Sequence, residues 1–156
     1  MIYICFAIMV LVPYFLCSVN TAIIVTKIKS GEDIRKLGSG NAGLTNTLRT
    51  QGKAAALFVL LGDVAKGVLS IITVWLCFLF IAGIDCHNAS SGYGWVLYAA
   101  GVAAILGHNF PIYYHFKGGK GVLATATMAL IVSPLPFLVL FTLFVIIVAV
   151  SKYVSL

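Results

Sequence analysis

Charge is what this sequence has least of. Of its 156 residues only 9% are Asp, Glu, Lys or Arg, against 62% hydrophobic, and the mean hydropathy is +1.10. A water-soluble domain carries about 25% charged residues, so lipid is the solvent this surface fits. Acids are scarcer still. The four present, Glu32, Asp33, Asp63 and Asp85, form no cluster, and the histidines His87, His108 and His115 are scattered, so no metal site is expected. Cysteine is sparse and shows no C-x-x-C spacing. Cys5, Cys17 and Cys77 lie in apolar runs and Cys86 in a short polar loop beside His87, which reads as small buried or lipid-facing residues rather than ligands or disulfides. Repeats at a fixed period and low-complexity tracts are also lacking.

What is present is a series of long apolar runs. Ile2 to Thr26 gives about 25 residues, enough for a somewhat tilted crossing of a ~30 Å hydrocarbon core. No basic residue precedes it and it is longer than a signal-peptide core, so it reads as a retained span. A second run, Ala54 to Ile84, is interrupted by Asp63 and Lys66. Gly67 to Ile84 alone rises about 27 Å, which leaves Ala54 to Lys66 as an interfacial or tilted extension. Asp63 and Lys66 stand three apart and can pair on one helix face. That pair either satisfies itself near the interface or serves a site. Trp95 to Leu106 crosses back, Val122 to Val132 is short, and Ser133-Pro134-Leu135-Pro136 breaks the helix before Phe137 to Val150, which returns to Lys152. The expectation is an all-α, polytopic bundle in a single membrane domain, 1–156, with about five membrane-crossing segments, two of them short.

The cations set the orientation. Lys and Arg number ten and the net charge is +6. A basic balance can mean nucleic acid, but these cations sit at the ends of apolar runs, the pattern of the positive-inside rule, and no nucleic-acid partner is expected. Lys27 to Lys53 holds six of them, and a second polar stretch, Gly107 to Gly121, holds Lys117 and Lys120. Asp85 to Gly94 holds none. Both cationic stretches therefore fall on the cytoplasmic face, with the N-terminus outside.

These two loops carry the chemistry the sequence offers. The first reads Gly38-Ser39-Gly40-Asn41-Ala42-Gly43-Leu44-Thr45-Asn46-Thr47-Leu48-Arg49. Dense glycine lets backbone N–H groups converge on an anion, short neutral donors add to them, and Arg49 supplies a planar fork suited to phosphate. Loops of membrane proteins also use Gly, Ser and Asn simply to turn. Gly38, Gly40 and Gly43 spell G-x-G-x-x-G without a βαβ unit, and Leu44 stands where a Walker lysine belongs, so neither a dinucleotide site nor an ATPase is supported. The second loop reads Gly107-His108-Asn109-Phe110-Pro111, then Phe116-Lys117-Gly118-Gly119-Lys120-Gly121. Lys120 among glycines, just before a helix starting at about Val122, makes another anion cradle. His108 acts as a base, orients a substrate or caps a helix; His115 belongs to the interface. The G-x-S-x-G elbow, H-E-x-x-H and the H-x-x-x-x-D pair of larger lipid acyltransferases are missing.

At these residues the chain resembles the PlsY family of membrane acyltransferases. Asp33-Ile34-Arg35 followed by Gly38-Ser39-Gly40-Asn41, Thr45-Asn46 and Arg49 is similar to that family's first motif. Gly107-His108, Phe110-Pro111 and Phe116-Lys117-Gly118-Gly119-Lys120-Gly121-Val122 resemble its second, and Asp63, Lys66 and Gly67 match a further pattern. Leu44 replaces the usual Ala, and Val19-Asn20 the usual Ile-Pro. A third motif, rich in Arg, His and Asn, would lie beyond Tyr153-Val154-Ser155-Leu156, so the chain looks like roughly three quarters of such an enzyme.

The resemblance implies transfer of an acyl group from acyl phosphate to glycerol 3-phosphate, giving lysophosphatidic acid and phosphate, at the bacterial cytoplasmic membrane. It implies no cofactor. Carried over, the catalytic residues are Ser39, Arg49 and His108. The substrate-binding residues are Gly38, Gly40, Asn41, Gly43, Thr45, Asn46, Lys117, Gly118, Gly119, Lys120 and Gly121. His108 is the candidate base, with substrate phosphate as the other proton acceptor. The rival readings are a phosphate-ester binding or transport protein using the same loops, and an inactive remnant of the enzyme.

Overall fold

The structure, a computed structural model, describes residues 1–151. Within them the chain is helical: α1 (Ile2–Ser18), α2 (Thr21–Ser30), α3 (Leu44–Gln51), α4 (Lys53–Cys77), α5 (Trp95–Asn109), α6 (Val122–Val132) and α7 (Pro134–Ser151). Four helical stretches are long and apolar enough to cross a membrane, 2–30, 53–82, 95–114 and 134–151, and α6 is a shorter apolar helix. The expected return to Lys152 lies outside the described residues.

The first span is not one helix. It breaks at Val19 and Asn20, both extended, and α2 then runs four residues past Thr26 to Ser30. The break has a side-chain cause. Asn20 Oδ1 accepts the Ile23 N–H at 3.1 Å, an N-cap that takes the donor a continuous helix would have given to the Val19 carbonyl. The second run, in contrast, is one element. α4 continues through a π-turn, Phe78–Ala82, to a left-handed Gly83. Its 30 residues rise roughly 45 Å, more than the apolar thickness of a bilayer, so the 54–66 extension is helix rather than a separate interfacial piece.

Small residues set the packing. In lipid, apolar side chains gain little by meeting each other, so helices associate where Gly and Ala let their backbones approach. α5 supplies buried Ala100, Ala103, Ala104 and Gly107. A Cβ on Gly107 would stand 2.2 Å from the Tyr14 carbonyl oxygen of α1. The main core joins Cys5, Met9 and Cys17 of α1 to Ile71 and Val74 of α4, Phe78, Val96, Leu97 and Ala100 of α5, and Met128 of α6. A second cluster, at the other end, packs Ala22 and Ile23 of α2 with Ile34, Ala42 and Val59. α7 has no buried residue and packs along α6, its apolar surface open to lipid.

At the end away from the glycine loops, Asp85 closes the α4–α5 connection by accepting from Trp75 Nε1 at 2.9 Å and from the His87 N–H at 3.0 Å. The Trp75 hydrogen bond holds its carboxyl below the ordinary range.

Candidate active site

The first loop is organised by one buried amide. Asn46, in the first turn of α3, donates from Nδ2 to the carbonyls of Ile34, Leu37 and Asn41 at 3.3, 2.9 and 3.0 Å. Its Oδ1 accepts the Ser39 N–H at 3.0 Å. A segment whose own backbone bonds amount to a 3₁₀ turn at Ile34–Lys36 and a few isolated turns is thereby given a single shape. Asn46 is committed to the loop's own backbone, while Ser39, Thr45 and Arg49 are exposed on its surface and Asn41 is half-buried. Gly43 caps α3 without a side chain, so the free N–H groups of that helix's first turn lie beside Thr45. Lys29 donates to the Gln51 carbonyl at its far end.

The second loop begins as a helix end. Gly107, His108 and Asn109 form the last turn of α5, not part of a loop. The chain then turns through a short 3₁₀ segment, Ile112–Tyr114, into two residues with left-handed backbone, His115 at φ 57° and Phe116 at φ 58°. That conformation costs a residue with a Cβ about 1–2 kcal/mol. It turns the chain back on α5, where Gly118 N–H donates to the Asn109 carbonyl at 3.1 Å and Gly119 N–H to the His108 carbonyl at 3.2 Å. Two of the N–H groups expected to face an anion thus satisfy the end of α5. Lys117 and Lys120 remain exposed, and α6 starts at Val122 after the left-handed Gly121, with its first-turn N–H groups uncapped by a side chain.

The two loops meet. A Cβ on Gly119 would sit 2.9 Å from the Ala42 carbonyl oxygen and 2.3 Å from His108 Nε2, so only glycine allows the second loop to lie against the first. Arg35, absent from the residues expected to form the site, ties them again. Its guanidinium pairs with Asp33 at 2.6 Å and donates from NH1 to the carbonyls of Tyr114 at 2.9 Å and Lys117 at 3.3 Å. The hydrogen bonds from Arg35 hold the Asp33 carboxyl below its ordinary range and the guanidinium above its own. The only local sign of this strut was Asp33 two residues before Arg35; its targets lie far along the chain.

Beneath the loops runs a buried polar chain. Lys66 Nζ lies 2.8 Å from Asp63 Oδ1, 2.8 Å from the Val19 carbonyl oxygen and 3.2 Å from His108 Nδ1. Thr21 Oγ1 donates to the same Asp63 oxygen at 2.9 Å. Lys66, Asp63 and His108 are 7, 2 and 3% exposed, so the Asp63–Lys66 pair expected from their spacing exists, inside the bundle and in contact with His108 at the end of α5.

Fold and site together define a class: a polytopic helical membrane protein with two glycine-rich, cationic loops gathered at one end of its bundle. Comparison with known proteins narrows it. A family model described as glycerol-3-phosphate acyltransferase matches residues 7–156, and the chain belongs to that family. It is 43% identical over 150 residues to a glycerol-3-phosphate acyltransferase of Macrococcus caseolyticus, covering 96% of this chain and 70% of that protein. A Clostridioides difficile protein of the same description is 40% identical, over 97% of this chain and 70% of its own length. Among solved structures, the glycerol 3-phosphate form of PlsY, an integral membrane glycerol 3-phosphate acyltransferase, superposes with a TM-score of 0.72 at 32% identity, over 92% of this chain and 66% of that one. Its lysophosphatidic acid form superposes with a TM-score of 0.68.

Proposed function

We propose that this protein transfers an acyl group from acyl phosphate to glycerol 3-phosphate in phospholipid synthesis, at a site built on the two glycine-rich loops. The observation that carries the proposal is their convergence, with Gly119 against the Ala42 carbonyl and Arg35 spanning from Asp33 to Lys117. Arg49, Lys117, Lys120 and the uncapped starts of α3 and α6 then share one end of the bundle, where a substrate bearing phosphate would be held. The names of the relatives support glycerol 3-phosphate as acceptor. The acyl phosphate donor rests on the motif resemblance and on the chemistry.

In this reading the glycerol 3-phosphate hydroxyl oxygen attacks the carbonyl carbon of the acyl phosphate. The new ester C–O bond forms as the C–O bond to phosphate breaks, and the hydroxyl proton leaves with the departing phosphate. Lysophosphatidic acid and inorganic phosphate result. Because the donor is already activated, positioning and charge stabilisation supply most of what catalysis requires. Arg49 and Lys120 hold phosphate oxygens, Lys117 adds charge, and Ser39 donates to phosphate or to the developing oxyanion. Gly38, Gly40, Asn41, Gly43 and Thr45 shape the first half of the cradle; Gly118, Gly119 and Gly121 shape the second. The acyl chain stays in lipid, and a shallow apolar groove of about 320 Å³ beside Leu11, Phe15, Leu16, Val19 and Tyr113 offers it a path along α1. Placed in a bacterial cytoplasmic membrane, the loop end faces the cytoplasm and the N-terminus lies outside.

The test is radiolabelled glycerol 3-phosphate with the protein in lipid nanodiscs, offered acyl phosphate or acyl-CoA. Labelled lysophosphatidic acid from acyl phosphate alone, with matching phosphate release, is expected. Product from acyl-CoA alone overturns the donor, and proteoliposome uptake of glycerol 3-phosphate with no product would mark a transporter. Mass spectrometry should find no acyl group on Ser39; an adduct there would replace direct transfer by a two-step route.

A further inference from the structure

Among the described residues Lys66 is the one buried cation, and the acyl-transfer scheme above makes no use of it. An ammonium has three N–H donors and no acceptor. Around Lys66 Nζ stand two groups that can only accept, Asp63 Oδ1 at 2.8 Å and the Val19 carbonyl at 2.8 Å, and a third neighbour, His108 Nδ1, at 3.2 Å. The ammonium's third N–H is matched only when that ring nitrogen accepts. The positive charge is offset by the Asp63 carboxylate, so the cluster is neutral overall, the condition under which an ion pair survives in a low-dielectric interior.

The match has a consequence for His108. If Lys66 donates to Nδ1, that nitrogen carries a lone pair, and a neutral ring must then carry its proton on Nε2. Nε2 lies 2.3 Å from the point where a Gly119 Cβ would stand, and the Ala42 carbonyl oxygen lies 2.9 Å from the same point. We propose that Lys66, braced by Asp63 and Val19, is a positioning residue that fixes His108 as its neutral Nε2–H tautomer, so that the ring edge at the junction of the two loops is a hydrogen-bond donor and not a base. This rests on reading the loop junction as the acyl-transfer site, and it gives His108 a donor's role there.

The experiment is nitrogen NMR of the whole chain in nanodiscs with ring-labelled histidine, His108 being assigned from the signal lost in H108Q. The expected spectrum has an unprotonated, hydrogen-bonded Nδ1 and a protonated Nε2. In Lys66→Met the tautomers should mix, and Lys66→Arg, which still donates, should keep the wild-type pattern. Acyl transfer by Lys66→Met should fall on the order of 100-fold in kcat, the scale of a misplaced group in a reacting assembly, with a smaller change in KM. Protonated Nδ1 in the wild-type protein overturns the proposal whether or not Lys66→Met folds, as does an unchanged His108 spectrum in a folded Lys66→Met. A wild-type protein with the expected tautomer but no acyl transfer would remove the functional reading and leave the assignment standing.

Discussion

Gly107 tests whether the loop junction depends on how closely α1 and α5 pack. A methyl placed there would stand 2.2 Å from the Tyr14 carbonyl oxygen, 3.0 Å from its carbon and 3.1 Å from its Cα. All three are backbone atoms of a neighbouring helix, so no side-chain rotation relieves the overlap. Restoring ordinary contact would part the helices by roughly 1 Å. The overpacking should cost about 1–3 kcal/mol, or a fall of about 2–12 °C in unfolding temperature for a chain of this size. The Tyr14 hydroxyl, which donates to the Phe110 carbonyl at 2.9 Å, would be pulled from its acceptor by the same movement. Because His108 is the next residue, its ring would leave Gly119 and Lys66, and a shift of that size in a reacting assembly costs on the order of 100-fold in rate.

The assay is thermal unfolding in detergent followed by acyl transfer in nanodiscs, for Gly107→Ala beside Gly94→Ala. The second is a control, since a Cβ on Gly94 meets only the Cys86 carbonyl at 3.8 Å. Gly107→Ala should lose both stability and activity and Gly94→Ala neither. A Gly107→Ala protein that unfolds within about a degree of wild type would refute the close-packing argument.

Other consequences are separately measurable. Arg49→Ala and Lys120→Ala should each abolish acyl transfer while leaving the unfolding temperature unchanged, because both side chains are exposed; near-normal turnover in both removes the phosphate clamp. Asn46→Asp would turn an oxygen on the Ile34, Leu37 and Asn41 carbonyls, at about 1–3 kcal/mol for each buried group left unmatched. Amide hydrogen exchange through residues 37–46 should accelerate, and unchanged protection would deny Asn46 its organising role. The Asp33 carboxyl is held below the ordinary 3.8, so it is the folded state that favours its ionised form. Its contribution to stability should therefore be complete above that pH and vanish as the pH falls through the lowered folded value; a stability gap between wild type and Asp33→Asn that stays open in stronger acid would contradict the Asp33–Arg35 pairing.

Elements whose signals are local could be read from the sequence. α6 runs from Val122 to Val132 because Gly121 precedes it and Ser133-Pro134 ends it, and both signals lie within two residues of the boundaries they set. The Asp63–Lys66 pair was legible for the same reason. The break in the first span was not, since the N-cap is one asparagine in a long apolar run, where hydropathy averages it away. Nor could glycine content tell which N–H groups stay free: Gly118 and Gly119 give theirs to carbonyls of α5, brought back to them by two left-handed residues with no glycine signature. Arg35 and Lys66 were placed as cations of a loop and of a helix face, and their partners across the bundle follow only from tertiary packing.

One asparagine links these parts. A helix running unbroken through residue 19 would close the Val19 carbonyl with the Ile23 N–H. Asn20 takes that N–H on its own oxygen, so the Val19 carbonyl is left to accept from Lys66, a second acceptor that helps an ammonium remain inside the bundle. The other half of the same amide donates to the Ala42 carbonyl at 3.3 Å, the oxygen against which Gly119 packs. The helix break, the buried cation and the junction of the two loops are therefore linked through one side chain's hydrogen bonds. A membrane imposes this economy: with no water to satisfy a broken turn, each freed carbonyl needs a partner, and here the partner carries the charge that reaches His108.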